Sequence, residues 1–389
     1  MSSVRLDDAT PLIGLLDSAR PLAFLRNGDG IVGIGEALRL EFSGPSRIAD
    51  AAAAWRALVA SSTVDDAVGL SGSGLVALGS FAFADDSEST SVLVVPAVLI
   101  GRRGSVTWIT TVDDARLPAP TPPGVDFAVR FAPDHMSPKA YAAAVSSAVA
   151  RIAAGEASKV VLARDLVGSL PDDPDLRLPI ARLASAYPDT FTFALDGLIG
   201  SSPETLVRVE GNTVSARVLA GTAPRGADDA ADALARDAIT SSAKDRAEHD
   251  FARAGVITAL EQHASGVFAA APFPLALPNL WHLASDVTGT LTDGSSALDL
   301  VAALHPTAAV AGAPTDAALR IIAELEPFDR GRYAGPVGWV GANGDGEWAV
   351  ALRCAQVDGA SVRAIAGAGI VADSDPALEL AETTLKFRP

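Results

Sequence analysis

The tetrapeptide NGDG occurs twice, at 27–30 between AFLR and IVGIGEALRLEF, and at 343–346 between GPVGWVGA and EWAVALRCAQV. Asn-Gly between apolar runs is a strong hairpin signal, because the turn needs left-handed dihedrals that asparagine and glycine tolerate. Antiparallel pairing is therefore expected near both ends of the chain. Two copies of one turn do not establish a duplication, since this turn chemistry recurs by itself.

Between the hairpins, helices interrupt groups of strands. An Ala-rich helix is expected in SRIADAAAAWRALVASS at 46–62. The Pro-rich stretch ARLPAPTPPG at 115–124 reads as a linker or long loop. Ser137 as N-cap and Pro138 at the first helical position open a helix with Tyr141, Val145, Val149 and Ile152 along one face, which Gly155 ends. A long helix is expected at 241–264 and a final one in PALELAETTLKF. Strand groups broken by helices, without regular βαβ alternation, predict an α+β fold with large antiparallel sheets.

Lys159 opens SKVVLAR at 158–164, whose apolar centre reads as a buried strand. A lysine there is either a snorkelling strand end, with its stem packed and its ammonium in water, or an amine placed for chemistry. The seven residues alone leave both readings open.

The chain of 389 residues is 49% hydrophobic, enough for a substantial core. Its net charge of −17 argues against nucleic acid or an anionic membrane surface as partner. An anionic substrate would be repelled unless local cations offset that field. Cys354 is the single cysteine, so neither a disulfide framework nor a thiolate zinc cluster is available. The N-terminus carries Asp7 and Asp8 where a signal peptide is basic and then apolar. The longest apolar run, SVLVVPAVLIG at 91–101, is too short for a membrane span. A soluble cytoplasmic protein is the expectation.

In the last helix, Glu379, Glu382 and Lys386 share one face, opposite an apolar side of Leu378, Leu380 and Leu385. A charged face of this kind is ordinarily solvated, and the same holds for Lys244 and Glu248 at i, i+4 in the helix at 241–264. Carboxylates from two helices would also suit Mg²⁺. The five histidines show no zinc-type spacing, so any metal here is expected to have oxygen ligands. GAGIVA at 367–372 matches a dinucleotide pattern formally, but the chain ends too soon afterwards for the second strand such a site needs. Gly367 and Gly369 instead mark a backbone that something approaches closely.

Taken in order, SKVVLAR, SSPETLVRVEGNTVSARVLAGTAPRG, SSAKDRAEH, HLASDVTGTL, LHPTAAVAG, RGRYAGPVGWVG, AVALRCAQV and AGAGIVADSDPALELAETTLKF resemble the chorismate-utilising enzymes over about residues 130–389. The resemblance implies one catalytic domain over 1–389, with a variable part at 1–130 and a motif-bearing part at 131–389. Two antiparallel sheets packed together and peripheral helices would form it. It implies Mg²⁺, with Glu248, Glu379 and Glu382 at metal-binding positions, and chorismate as substrate. Substrate contacts are implied for Gly221, Thr222, His305, Ala309, Tyr333, Arg353, Gly367, Gly369 and Lys386. Lys159 falls where members that use water carry the base, and Glu204 matches the acid that protonates the departing C4 hydroxyl. Those roles need an uncharged amine and a protonated carboxyl, and burial favours the uncharged form of both kinds of group.

Within the family, Lys159 favours water over ammonia, and Ala220 stands where the aminodeoxychorismate branch tends to carry lysine. The resemblance is thus nearest to isochorismate synthase, feeding menaquinone or a catechol siderophore. A salicylate synthase comes second and an anthranilate synthase component I third. LHPTAAVAG departs from the usual pattern at Ala308 and Ala311. A non-catalytic homologue should have lost Lys159, Glu204 or a metal glutamate, and all are present. No amidotransferase subunit is then required, and a monomer is expected.

Overall fold

Antiparallel pairing organises the chain into two large sheets, seen in a computed structural model that describes residues 1–6, 11–276 and 280–387. The side chains of Thr222, Lys244, Asp245, Ala247, Glu248 and Leu280 lie outside that description. Among the described residues one sheet has 13 strands and the other 10, with eight α-helices around them. The single parallel pair described joins Ser2–Leu6 to Asp65–Asp66.

Both sheets draw on the N-terminal third. Leu22–Arg26, Asp29–Ile34, Val98–Arg103 and Val106–Thr111 continue the sheet that begins with Lys159–Ser169, Ser361–Ile370 and Cys354–Asp358. Leu38–Phe42, Val76–Ser80 and Ser91–Val95 extend the sheet formed by Leu280–Leu291, Thr213–Pro224 and Thr205–Glu210. Phe24, Trp108 and Phe193 from the first sheet meet Leu78, Val207 and Trp348 from the second in one apolar cluster. Helices Pro138–Ala153 and Thr315–Leu325 cover the other face of the first sheet near Lys159–Ser169.

Local chemistry explains the element ends. Ser137 Oγ accepts from Ala140 N at 3.2 Å, and Pro138 opens the helix. Tyr141, Val145 and Ile152 of that helix are buried, Val149 is half-buried, and Gly155 follows with φ +83°. The two NGDG turns differ. Asn27 and Gly28 both have positive φ and close a two-residue turn, as alternating strands favour. The second copy forms a four-residue loop with Gly344 alone at positive φ, closed by Gly341 N donating to Asp345 O. One tetrapeptide thus serves two geometries, which removes the repeat as a sign of duplication.

The 241–264 segment is helical over Ala243–Leu260, and a separate helix, Asp229–Ser241, precedes it. The Pro-rich stretch is a strap without strand or helix. Arg177 donates to the Thr121 and Pro122 carbonyls, and Asp175 accepts from Gly124 N at 2.7 Å. In the last helix, Pro376–Lys386, the charged face turns inward, as the metal-binding assignment implied and not as a solvated face, while Leu380 stays half-buried against the core. Leu378 is 69% exposed and Leu385 38%, whereas Glu379 is buried. Its position follows from Arg164, which donates from Nε to Thr383 Oγ1 and from Nη2 to Thr384 Oγ1, both at 2.8 Å. Those bonds help turn the acidic face inward. No helix of the described residues is long and apolar enough to cross a membrane.

Gly101 and Trp108 face each other across paired strands, and a Cβ at Gly101 would lie 2.1 Å from the indole. Gly101→Ala is therefore expected to destabilise by about 1–3 kcal/mol through overpacking. Urea denaturation checks this: the midpoint should fall, and an unchanged midpoint would show that the ring moves freely.

Candidate active site

Strand alternation decides what Lys159 faces. Val160 and Leu162 pack under the helices, so Lys159, Val161 and Ala163 point to the opposite side of the sheet. There Lys159, 8% exposed, lines a cavity together with Glu204, Gly221, His282, Ala309, Arg353, Gly369, Glu379, Glu382 and Lys386. An adjoining lobe shares Ala309, Arg353, Gly369 and Lys386 and adds Tyr333 and Gly367. The snorkelling alternative for Lys159 does not describe this buried position.

Glu204 is 6% exposed and its carboxyl is pushed up from 4.5 to about 7. Burial causes the rise, and Lys159, Arg353 and Lys386 oppose it without cancelling it. A carboxyl poised there can hold a proton near neutrality and give it up. Arg353 follows a strand end with φ 50°, and its buried Nη2 has no hydrogen-bond partner. A guanidinium is built to grip a carboxylate with two parallel bonds, so this donor is apt for an anionic ligand. Burial lowers the Arg353 pKa from its ordinary value.

The last helix supplies the opposite charge. Ser374 Oγ donates to Glu379 Oε1 at 2.7 Å, and Lys386 Nζ bonds both Glu382 Oε1 at 2.6 Å and Gly367 O at 2.8 Å. Burial would raise Glu382, but Lys386, which also hydrogen-bonds it, and Arg353 outweigh it and hold the carboxyl below its usual range. Two glutamates one turn apart, aimed into one cavity, are oxygen donors of the kind a hard divalent cation takes. The glutamate expected on a second helix, Glu248, has its side chain outside the described residues, as does Thr222.

Glycines shape the rest. Gly221 has φ +81° at a bulge where Thr213–Pro224 pairs with Leu280–Leu291. Its carbonyl accepts from His282 Nδ1 at 3.2 Å. A Cβ on Gly367 would stand 3.3 Å from the Tyr333 hydroxyl, so the close approach expected of this backbone is present. Burial raises that hydroxyl to about 12, keeping it a neutral donor.

His305 departs from its expected place. It does not line the cavity; its Nε2 donates to Phe83 O at 3.0 Å, and burial lowers its pKa to about 4. The neutral ring supports the loop that carries Ala309. His282 was the residue that motif reading left unassigned, although HLASDVTGTL contains it. Burial, with Arg353 and Lys386 nearby, lowers its pKa to about 3, so it is a neutral imidazole in the cavity wall. The histidine that opens HLASDVTGTL was the available signal. Elsewhere, Asp134, His135 and Asp165 cluster, but Arg363 Nε already donates to Asp165 at 3.1 Å, so a cation stands there.

A buried cavity between two large antiparallel sheets, with cations for an anion and paired glutamates for a metal, defines a ligand-binding enzyme of the α+β class. The chain belongs to the chorismate binding enzyme family, whose profile matches residues 118–389. A Mycobacterium tuberculosis protein provisionally named isochorismate synthase MenF is 38% identical over 335 residues, covering 82% of this chain and 86% of that one. A Bacillus anthracis structure, provisionally described as 2,3-dihydroxybenzoate-specific isochorismate synthase DhbC, superposes with a TM-score of 0.81 at 30% identity. It covers 97% of this chain and 96% of its own. The structure of MenF, the menaquinone-specific isochorismate synthase of Escherichia coli, gives a TM-score of 0.78 at 25% identity, over 99% and 92% of the two chains.

The Glu204 shift has a thermodynamic consequence. Its folded pKa of about 7 exceeds the ordinary 4.5, so the folded protein keeps a proton that the unfolded chain releases. That contribution to stability is full below about pH 4.5 and is lost as pH rises to about 7. Glu204→Gln removes it. Denaturation at several pH values should show the wild type losing stability relative to the variant across that window, whereas parallel profiles would contradict the shift.

Proposed function

We propose that this chain is an isochorismate synthase, converting chorismate to isochorismate by adding water at C2 as the C4 hydroxyl departs. The observation that carries the reading is the shared cavity of Lys159 and Glu204, with the acid held near neutrality. The Lys159 amine acts as the base, taking a proton from water as the water oxygen bonds to C2. The ring double bonds shift, and Glu204 gives its proton to the departing hydroxyl, so a base and an acid act on opposite ends of one displacement.

The remaining residues bind and orient. Arg353, with Tyr333 beside it, takes the enolpyruvyl carboxylate, and Lys386 adds a second cation. Gly221, Thr222, Gly367 and Gly369 bring backbone close to the ring, and Ala309 limits the space over it. Glu379, Glu382 and Glu248 are assigned to Mg²⁺, which when bound neutralises the ring carboxylate. The acidic chain thereby accepts an anion at a site where its own cations already face inward. The reading treats residues 1–389 as one catalytic unit, cytoplasmic, monomeric and independent of an amidotransferase. Its product would serve menaquinone or catechol siderophore synthesis; the relatives reported above include one described as menaquinone-specific and one provisionally described as 2,3-dihydroxybenzoate-specific.

Incubation with chorismate and Mg²⁺, with chromatography of the products and a coupled pyruvate assay, tests the reading. Isochorismate without pyruvate is expected. Salicylate with stoichiometric pyruvate would replace the product assignment, and a requirement for ammonia would remove water as nucleophile. Lys159→Ala and Glu204→Gln should each lower kcat by at least about 10²-fold. Both should retain Mg²⁺-dependent chorismate binding by calorimetry, and near-wild-type turnover in either would contradict its role.

A further inference from the structure

The strand that carries Lys159 lacks a continuous neighbour on one edge. Ser361–Ile370 pairs along one side, but Gly312–Ala313 reaches only Lys159 and Val160 on the other, and Ala132–Pro133 begins at Leu166. Val161 N finds the Ala311 carbonyl at 2.9 Å. Beyond it, side chains take over. Arg330 Nη2 donates to Val161 O at 2.7 Å, and Glu326 Oε1 accepts from Ala163 N at 2.7 Å.

These two side chains form one rigid unit. Arg330 Nε and Nη2 meet the two Glu326 oxygens at 2.8 and 2.6 Å, with both side chains 2% exposed or less. Arg330 Nη1 also donates to Val310 O at 2.9 Å, next to Ala309. The Arg330 carbonyl accepts from Tyr333 N at 3.1 Å. The guanidinium lies over the Phe83 ring at 4.5 Å, and Phe83 is the residue His305 supports. A buried ion pair gains little stability over apolar packing, because desolvation offsets its attraction. Its use here is geometric: it replaces a missing strand and fixes three walls of the cavity relative to one another.

We infer that the Arg330–Glu326 pair is a positioning device for the reaction, holding the Lys159 strand in register with the Ala309–Val310 loop and Tyr333. This rests on the proposed function for the identity of the reaction, not for the geometry. Lysine at 330 keeps the charge opposite Glu326 but cannot make the planar fork that reaches both backbone carbonyls. Displacement of a base by about 1 Å costs on the order of 10²-fold in rate.

The test compares Arg330→Lys with Arg177→Lys, a second buried arginine whose partner is Asp175 and whose carbonyl contacts hold the remote strap. Steady-state kinetics with chorismate and thermal unfolding are measured for both and for the wild type. The inference expects kcat of Arg330→Lys to fall about 10²-fold with KM within about threefold of wild type. Arg177→Lys should keep kcat despite a similar loss of thermal stability. Folded Arg330→Lys with wild-type kcat would overturn the inference, as would an equal kcat loss in Arg177→Lys. Where Arg330→Lys does not fold, Glu326→Gln decides by the same kcat criterion, since it retains an acceptor for Ala163 N. Failure of the functional reading is read separately, from wild-type enzyme that makes no isochorismate.

Discussion

Charge buried in a cavity between two sheets is the constraint that the rest of the molecule serves. Glu204 sits out of water with Lys159, Arg353 and Lys386 close enough to oppose its protonation but not to prevent it. Removing any one of these groups would leave the others uncompensated in a medium where charges interact strongly. The scaffold therefore has to fix each side chain independently. Strand alternation aims Lys159, the Gly367 and Lys386 contact pins the last helix to the sheet, and Arg164 closes the helix end. The cavity gathers its cations in a chain whose overall sign is strongly negative, so the local field differs from the global one.

The parts of the fold legible in sequence were those set by short-range chemistry. Ser137 and Pro138 specify a helix start through one hydrogen bond and one fixed dihedral, and both operate as such. Asp375 caps the last helix by accepting from Ala377 N and Leu378 N. What local pattern could not supply was the direction each face would turn. The last helix carries leucines and charges on opposite sides, and amphipathicity predicts the leucines inward. Long-range bonds from Arg164 help decide otherwise, so Leu378 meets solvent while Leu380 packs half-buried and Glu379 is buried. The second NGDG does join an antiparallel hairpin, but through four residues between Gly341 and Gly346, and loop length selects the turn.

The candidate site divides along the same line. Lys159, Glu204, Gly221, Ala309, Tyr333, Arg353, Gly367, Gly369, Glu379, Glu382 and Lys386 come from motifs far apart in sequence, and the structure lines one two-lobed cavity with them. His305 was drawn in by its motif, yet its ring turns to Phe83 because the following loop, not the histidine, borders the cavity. Glu326 and Arg330 were not singled out from the sequence; they stand at i, i+4, and only the missing strand edge shows what they hold.

The central claim is that Lys159 delivers solvent water to C2. Turnover in water enriched in oxygen-18, followed by mass spectrometry and carbon NMR of the isochorismate, tests it most directly. The account predicts one labelled oxygen per product, attached at C2, with the original C4 oxygen lost to solvent. Product without label, its C2 oxygen inherited from the C4 hydroxyl, would contradict it.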